Sequence, residues 1–173
     1  SVSHTTRNPR PGESDGAQYH FISQDEFQEL VSDNAFLEHA VVFGHLYGTH
    51  AGALQRQLDQ GKDVILEIDW QGAAQVRQVF SDCCSIFILP PSVEALHQRL
   101  ARRAQDSAEV IEQRMREART EISHWAEFDY LVINEEFESA VADLRAIMRS
   151  RRLRRVRQQD SYAALLAELL VNG

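Results

Sequence analysis

The sequence predicts an α/β fold with a parallel sheet at its core, and three apolar runs carry that prediction. Asp63-Val-Ile-Leu-Glu-Ile-Asp-Trp70, Ser85-Ile-Phe-Ile-Leu89 and Tyr130-Leu-Val-Ile-Asn134 are short and nearly continuous in apolar residues. A strand with one wet face alternates; an unbroken run belongs to a strand covered on both faces, as in parallel sheets. Stretches of helical periodicity separate and follow these runs, and that alternation is the mark of a parallel α/β sheet. The chain before residue 52 reads differently, as many short pieces with little helix, and is expected to form a small mixed insertion beside the core. No internal repeat or low-complexity tract is present.

In chain order, Ser1-Val-Ser-His-Thr-Thr6 opens as a strand with β-branched residues, then breaks at Pro9, Pro11 and Gly12 into a stiff loop. Gly16–Ser23 reads as a short strand with Tyr19 and Phe21 on one face. Ser23 and Glu26 form a capping box for a helix carrying Phe27, Leu30 and Val31. Ala35–Gly44 is strand-like and places Glu38 among apolar neighbours; Tyr47-Gly-Thr49 is expected in the turn that follows. A helix from about Ala51 to Gln60 stops at Gly61. Within the first apolar run, Glu67 and Asp69 are two apart and so on one side of the strand, at its C-terminal end. A helix follows through Val79. Ser92 N-caps a helix to Arg103 with Val93, Leu96 and Leu100 inward. Asp106 and Glu109 suggest a second capping box, before a helix with Val110, Ile111, Met115, Ala118 and Ile122 on one face, ending near Trp125. Phe137, Val141, Leu144 and Met148 mark a long helix, and Tyr162, Leu165, Leu166 and Leu169 a last short one.

Composition bounds the function. With 173 residues and 43% hydrophobic content the chain can bury a real core. A net charge of -8 argues against duplex nucleic acid as a partner. No apolar run reaches membrane length. The only cysteines, Cys83 and Cys84, are neighbours, which fits a reduced, cytoplasmic setting.

Four features carry chemistry. Arg7 and Arg10 stand on the proline-stiffened loop, where each guanidinium can fork two donors onto a carboxylate or phosphate, or can simply sit in solvent. Glu38 is a lone carboxylate in an apolar strand. Glu67 and Asp69 lie at a strand's carboxyl end, where ligands of open α/β sheets bind. Arg99, Arg102, Arg103, Arg114, Arg116 and Arg119 crowd one stretch, with Arg99 and Arg103 on one helix face. That stretch reads either as a solvated helical hairpin or as a flap bringing positive charge to a phosphate, as phosphoryl transfer requires. The Arg151–Arg157 run reads as cations complementing a helix C-terminus.

Taken together, these strings resemble those of the bacterial guanylate kinases. The matches are Ser-Val-Ser-His-Thr-Thr-Arg-Asn-Pro-Arg-Pro-Gly-Glu at 1–13, Phe-Leu-Glu-His-Ala at 36–40, Tyr-Gly-Thr at 47–49, Leu-Glu-Ile-Asp-Trp-Gln-Gly-Ala at 66–73, Phe-Ile-Leu-Pro-Pro-Ser at 87–92 and Ile-Ser-His-Trp-Ala-Glu at 122–127. The resemblance implies a P-loop NTPase-like parallel-sheet core (52–96 and 126–173), a GMP-binding insertion (3–51) and a helical lid (97–125). It implies phosphoryl transfer from ATP to GMP, with Mg²⁺ accompanying ATP. By match to the family's motifs, Arg7, Arg10, Tyr19 and Tyr47 would hold the GMP phosphate. Ser3, Glu38, Thr49 and Asp69 would surround the guanine, with Glu67 close by. Arg99, Arg103 and Arg114 would be the lid arginines, and Asn134 would meet the adenine of ATP. No protein-held metal, nucleic-acid or membrane partner is implied, and self-association is left open.

The chemistry of guanine agrees. Its ring N1–H and exocyclic amine lie side by side, so one carboxylate accepts from both, and a threonine hydroxyl can donate to O6. Adenine would leave that carboxylate unpaired, which rejects it strongly. Two departures stand out. The phosphate-cradling string Gly-x-x-x-x-Gly-Lys-[Ser/Thr] does not occur in the 173 residues, and the resemblance places it upstream of the arginine loop. The chain opens at Ser1 in mid-element, so an N-terminal portion is expected to be missing; were residues 1–173 the whole polypeptide it would be expected to bind GMP without transferring phosphate, whereas with the missing segment present ordinary kinase activity is expected. Arg102 and Ala104 stand where the family usually has glycines beside Arg103, a change expected to stiffen that hinge. The rival reading is an inactive guanylate-kinase-like module that binds proteins or phosphopeptides; the retained arginines argue against it.

Overall fold

The computed structural model describes residues 1–103 and 108–171; nothing is described for the side chains of Arg102, Arg103 and Ala108. The expected capping residue Asp106 therefore lies outside the described residues. The chain gathers into two compact units, residues 1–85 with 105–129 and residues 86–104 with 130–173.

The first unit is built on a four-stranded sheet in the order β2-β1-β4-β3. Its strands are β1 (Ser3–Thr5), β2 (Tyr19–Phe21), β3 (Phe36–Val42) and β4 (His45–His50). β1 runs parallel to β2 and antiparallel to β4, and β3 and β4 form a hairpin, so the sheet is mixed as expected. The turn is Phe43-Gly44, with φ of 50° and 77°. Two successive positive φ values are what a two-residue primed turn requires. Tyr47-Gly-Thr49 is thus not a turn but the middle of β4. Gly48 is there for packing: a Cβ on it would lie 2.9 Å from the Phe36 ring.

Helix α1 (Gln24–Ser32) starts at the predicted capping box, with Ser23 and Glu26 satisfying each other's backbone donors. It buries Phe27 completely against Phe36, ring centroids 4.6 Å apart. Helix α2 (Ala51–Asp59) is followed by Gly61 at φ 72°. Residues 63–69, expected to be the first core strand, join no ladder among the described residues, and Ile65 is 60% exposed. Apolar runs report what could be covered, not which neighbour supplies the hydrogen bonds; here the Ser1 amino group donates to Ile65 O at 3.0 Å, but no ladder forms among the described residues. The stretch delivers Asp69, the N-cap of α3 (Trp70–Val79). Helix α5 (Ala108–Ser123) and a one-turn 3₁₀ segment, Trp125–Glu127, complete the unit.

In the second unit, β5 (Ile86–Leu89) pairs in parallel with β6 (Tyr130–Ile133). The helices are α4 (Val93–Arg103), α6 (Phe137–Arg152), α7 (Arg155–Ser161) and α8 (Ala163–Val171). Ser92 Oγ accepts from Ala95 N at 3.0 Å, the predicted cap of α4. The expected double-sided burial does not hold. Val132 is 2% exposed, but Leu131, Ile133, Ile88, Val93 and Phe137 are 44–71% exposed. Each strand has one partner among the described residues, so an apolar run that suits a central strand is left with open sides. Among the described residues, no helix is long and apolar enough to cross a membrane.

Candidate functional site

The hairpin register sets Glu38 opposite Thr49, and β1 brings Ser3 to the same place. Thr49 is fully buried and Glu38 is 3% exposed. Ser3 Oγ and Thr49 Oγ1 are 3.3 Å apart. Burial pushes the Glu38 carboxyl above its ordinary range; the hydrogen bond from Thr49 opposes that shift and the charge of Asp69 adds to it. A buried carboxylate whose hydrogen bonds from Thr49 do not offset its burial is poised to take further donors from a ligand. Asp69 completes the group: its Oδ1 accepts from Gly72 N and its Oδ2 from Gln71 Nε2, each at 2.9 Å. Gly72 permits the arrangement, because a Cβ there would fall 2.5 Å from Glu38 Oε2. The structure thus brings together Ser3, Glu38, Thr49 and Asp69.

A second cluster forms around Arg7. Its guanidinium lies 5.4 Å from the Tyr19 ring centroid and 5.6 Å from that of Phe21. Tyr19 meets Tyr47 edge-on at 5.8 Å. Glu13 takes both Arg7 terminal nitrogens at 2.9 Å and the Arg10 backbone N–H at 2.7 Å. The Arg7 pair holds the Glu13 carboxyl below its ordinary range, and Glu13 in turn raises Arg7, with a further contribution from Tyr47. Burial is the main cause of an upward shift at the Tyr19 phenol, with Tyr47 and Glu67 adding to it. Glu67 is therefore within electrostatic reach of this second cluster but is itself exposed, and does not share a strand face with Asp69. The Arg10 side chain is exposed. The cluster is a guanidinium set against the Tyr19 and Phe21 rings and already oriented by an internal anion, Glu13.

The lid residues divide. Arg99, on α4 in the second unit, donates to the backbone oxygen of Asn134 at 2.7 Å. Asn134 also continues the ladder past β6, its N–H on Leu89 O at 2.8 Å. Arg114, on α5 in the first unit, lines a surface recess of about 300 Å³ with Phe43, Glu109, Val110, Gln113 and Glu117. The Arg103 side chain lies outside the described residues. Sequence reasoning gave no role to Glu13 or Gly72. The spacing from Arg10 to Glu13 was a usable signal for the first; nothing local to residue 72 announces the second.

The family model for guanylate kinase matches residues 1–151, which contain every one of these side chains. The chain belongs to the guanylate kinase family. It is 58% identical over 170 residues to the guanylate kinase of Alkalilimnicola ehrlichii, covering 98% of this chain and 84% of that one. It is 54% identical over 172 residues to the guanylate kinase of Escherichia coli K12, covering 99% and 83%. The crystal structure of guanylate kinase from Anaplasma phagocytophilum superposes with a TM-score of 0.79 at 37% identity, covering 91% of this chain and 77% of that one. Guanylate kinases are ATP:GMP phosphotransferases, and the α/β fold and transferase class expected from the sequence stand.

Proposed function

We propose that the Glu38 pocket is the guanine seat and the Arg7 cluster the seat of the GMP phosphate in an ATP:GMP phosphoryl transfer. The observation that carries this reading is a carboxylate 3% exposed beside a fully buried threonine. Glu38 accepts from N1–H and the exocyclic amine of guanine, and Thr49 donates to O6, with Ser3 and Asp69 closing the pocket. Arg7 and Arg10 take phosphate oxygens, with the Tyr19 and Tyr47 phenols as further donors; Glu67 tunes this cluster from outside. Arg99, Arg103 and Arg114 supply charge to the transferred group, and Asn134 lies toward the adenine. Residues 3–51 serve GMP, 97–125 act as the lid, and 52–96 with 126–173 form the core.

Among the described residues, no group of three or more His, Cys, Asp or Glu side chains is arranged to hold a metal ion. Mg²⁺ is taken to accompany the phosphates of ATP as part of the substrate, a reading supported by membership of the guanylate kinase family. A soluble cytoplasmic setting, and GMP and ATP as partners with no nucleic acid or membrane and with self-association left open, complete the reading. The test is titration calorimetry with GMP. Glu38→Gln is expected to weaken binding by roughly 1.5–3 kcal/mol, the scale of a hydrogen bond to a charged group. Equal affinity in both proteins would remove Glu38 from the guanine seat.

A further inference from the structure

We propose that Glu121 and His124 are positioning residues for the guanine pocket, acting through helix α3; this deepens the guanine-seat reading above and rests on it. Trp70 is the first residue of α3, and its backbone N–H is one of the donors a helix start leaves without an internal partner. Glu121, in the last turn of α5, lies near enough to the Trp70 backbone for that donor to oppose the upward shift that burial gives its carboxyl. His124 lies flat on the Trp70 indole, ring centroids 3.5 Å apart and planes within 4°. The Nδ1 of His124 meets the Glu127 carboxylate, whose other oxygen takes Arg77 at 3.0 Å. Arg77 stands near the far end of α3, and its guanidinium lies 5.4 Å from the Phe128 ring centroid. Residues 121–128 thus grip α3 at its first residue and again at Arg77.

What sits at the gripped end makes this more than a structural clamp. Asp69 caps that helix start by accepting from Gly72 N, and Gly72 leaves Glu38 its place with no room to spare. A shift of the α3 start moves Asp69 and Gly72 against a carboxylate that has nowhere else to go. The electrostatics agree with this proximity: Glu121 is raised by burial first and then by the charge of Asp69. Glu121 also lies on the same helix as Arg114, so the element that carries a lid arginine is fastened to the element that seats the base.

The experiment compares GMP with inosine 5′-monophosphate, which lacks the amine that Glu38 accepts from. Binding of both to the full chain is measured by calorimetry for Glu121→Ala, His124→Ala and Glu38→Gln, with thermal midpoints recorded. Glu121→Ala and His124→Ala are expected to weaken GMP by about tenfold, the scale of one charged hydrogen bond, and to weaken the inosine nucleotide far less. A clamp with a purely structural role would lower the midpoint and weaken both nucleotides equally, and that result overturns the positioning role. If His124→Ala does not fold, His124→Phe, which keeps the flat ring and drops the Glu127 contact, is read by the same ratio. Should Glu38→Gln leave the preference for GMP intact, the guanine seat itself is wrong and the positioning role falls with it. Should Glu38→Gln narrow the preference while the clamp variants do not, only the positioning role falls.

Discussion

In the sheet of the first unit the deeply buried side chains include polar ones, Thr5, Thr49 and Glu38; on β5 and β6 of the second, apolar Ile88, Leu131 and Ile133 are 44–49% exposed. The polar set is tied down atom by atom. Thr5 Oγ1 donates to Leu46 O at 2.9 Å and accepts from Arg7 N at 3.2 Å, while Thr49 serves Ser3 and Glu38. A buried polar group is costly unless paired, so each of these has one workable position. Exposed apolar side chains have no such address. The first region is specific because its burial is polar, and small changes there should cost more than larger changes on the open faces of the second.

The largest expected effect is at Gly72. Gly72→Ala puts a methyl 2.5 Å from Glu38 Oε2 and 3.2 Å from Ile68 Cβ, so the carboxylate must leave its seat. GMP affinity should fall by about a hundredfold, roughly 2.7 kcal/mol. A loss below about threefold in calorimetry would mean the pocket is softer than its polar ties suggest. The next effect contrasts neighbours on β6. Val132 is 2% exposed and Ile133 49%. Val132→Ala should cost about 2 kcal/mol in urea unfolding and Ile133→Ala at most about 0.5 kcal/mol. Equal costs would break the comparison, showing that Ile133 is covered in solution.

The smallest effect concerns pH. Glu38 must be ionised to accept from guanine, and its folded-state pKa is raised above 4.5. GMP affinity should therefore be full at pH well above that raised value and decline as pH falls through it, by roughly threefold at first onset, before an ordinary glutamate would protonate. Without ligand the sign for stability is the reverse: the Glu38 contribution is fully present below 4.5 and lost as pH rises through the raised pKa. Glu38→Gln should flatten the affinity profile. A profile unchanged in that variant would assign the titration to Glu121, which is raised in the same direction.

Local chemistry was legible where one residue type does one job. Ser23 with Glu26, Ser92 and Gly61 mark helix ends that the structure keeps, because capping depends on neighbours in sequence. The hairpin turn was not legible, since Phe43 is an unusual residue for positive φ and Gly48, the fourth residue of β4, drew attention away from it. Residues 63–69 were over-read because periodicity is blind to partners. At the site, residue types and resemblance pointed to Glu38, Thr49 and Arg7, whereas the roles of Gly72, Glu13 and His124 arise from contacts between distant segments. Trp70 and His124, stacked face to face, are separated in sequence by the second apolar run and by α3, α4 and α5.

The Phe43-Gly44 turn also bears on the order in which the site assembles. It closes β3 onto β4 through the shortest loop in the sheet, and hairpins of that kind form within microseconds. β1 must instead find β4 across 41 residues at Thr5 and Leu46, and Ser3 must find Thr49 across 46. Contacts that close long loops come late on a folding path. The guanine seat, shared between the early hairpin and the late strand, is then complete only after the transition state has been crossed. GMP should consequently slow unfolding of this sheet while leaving its folding rate nearly untouched.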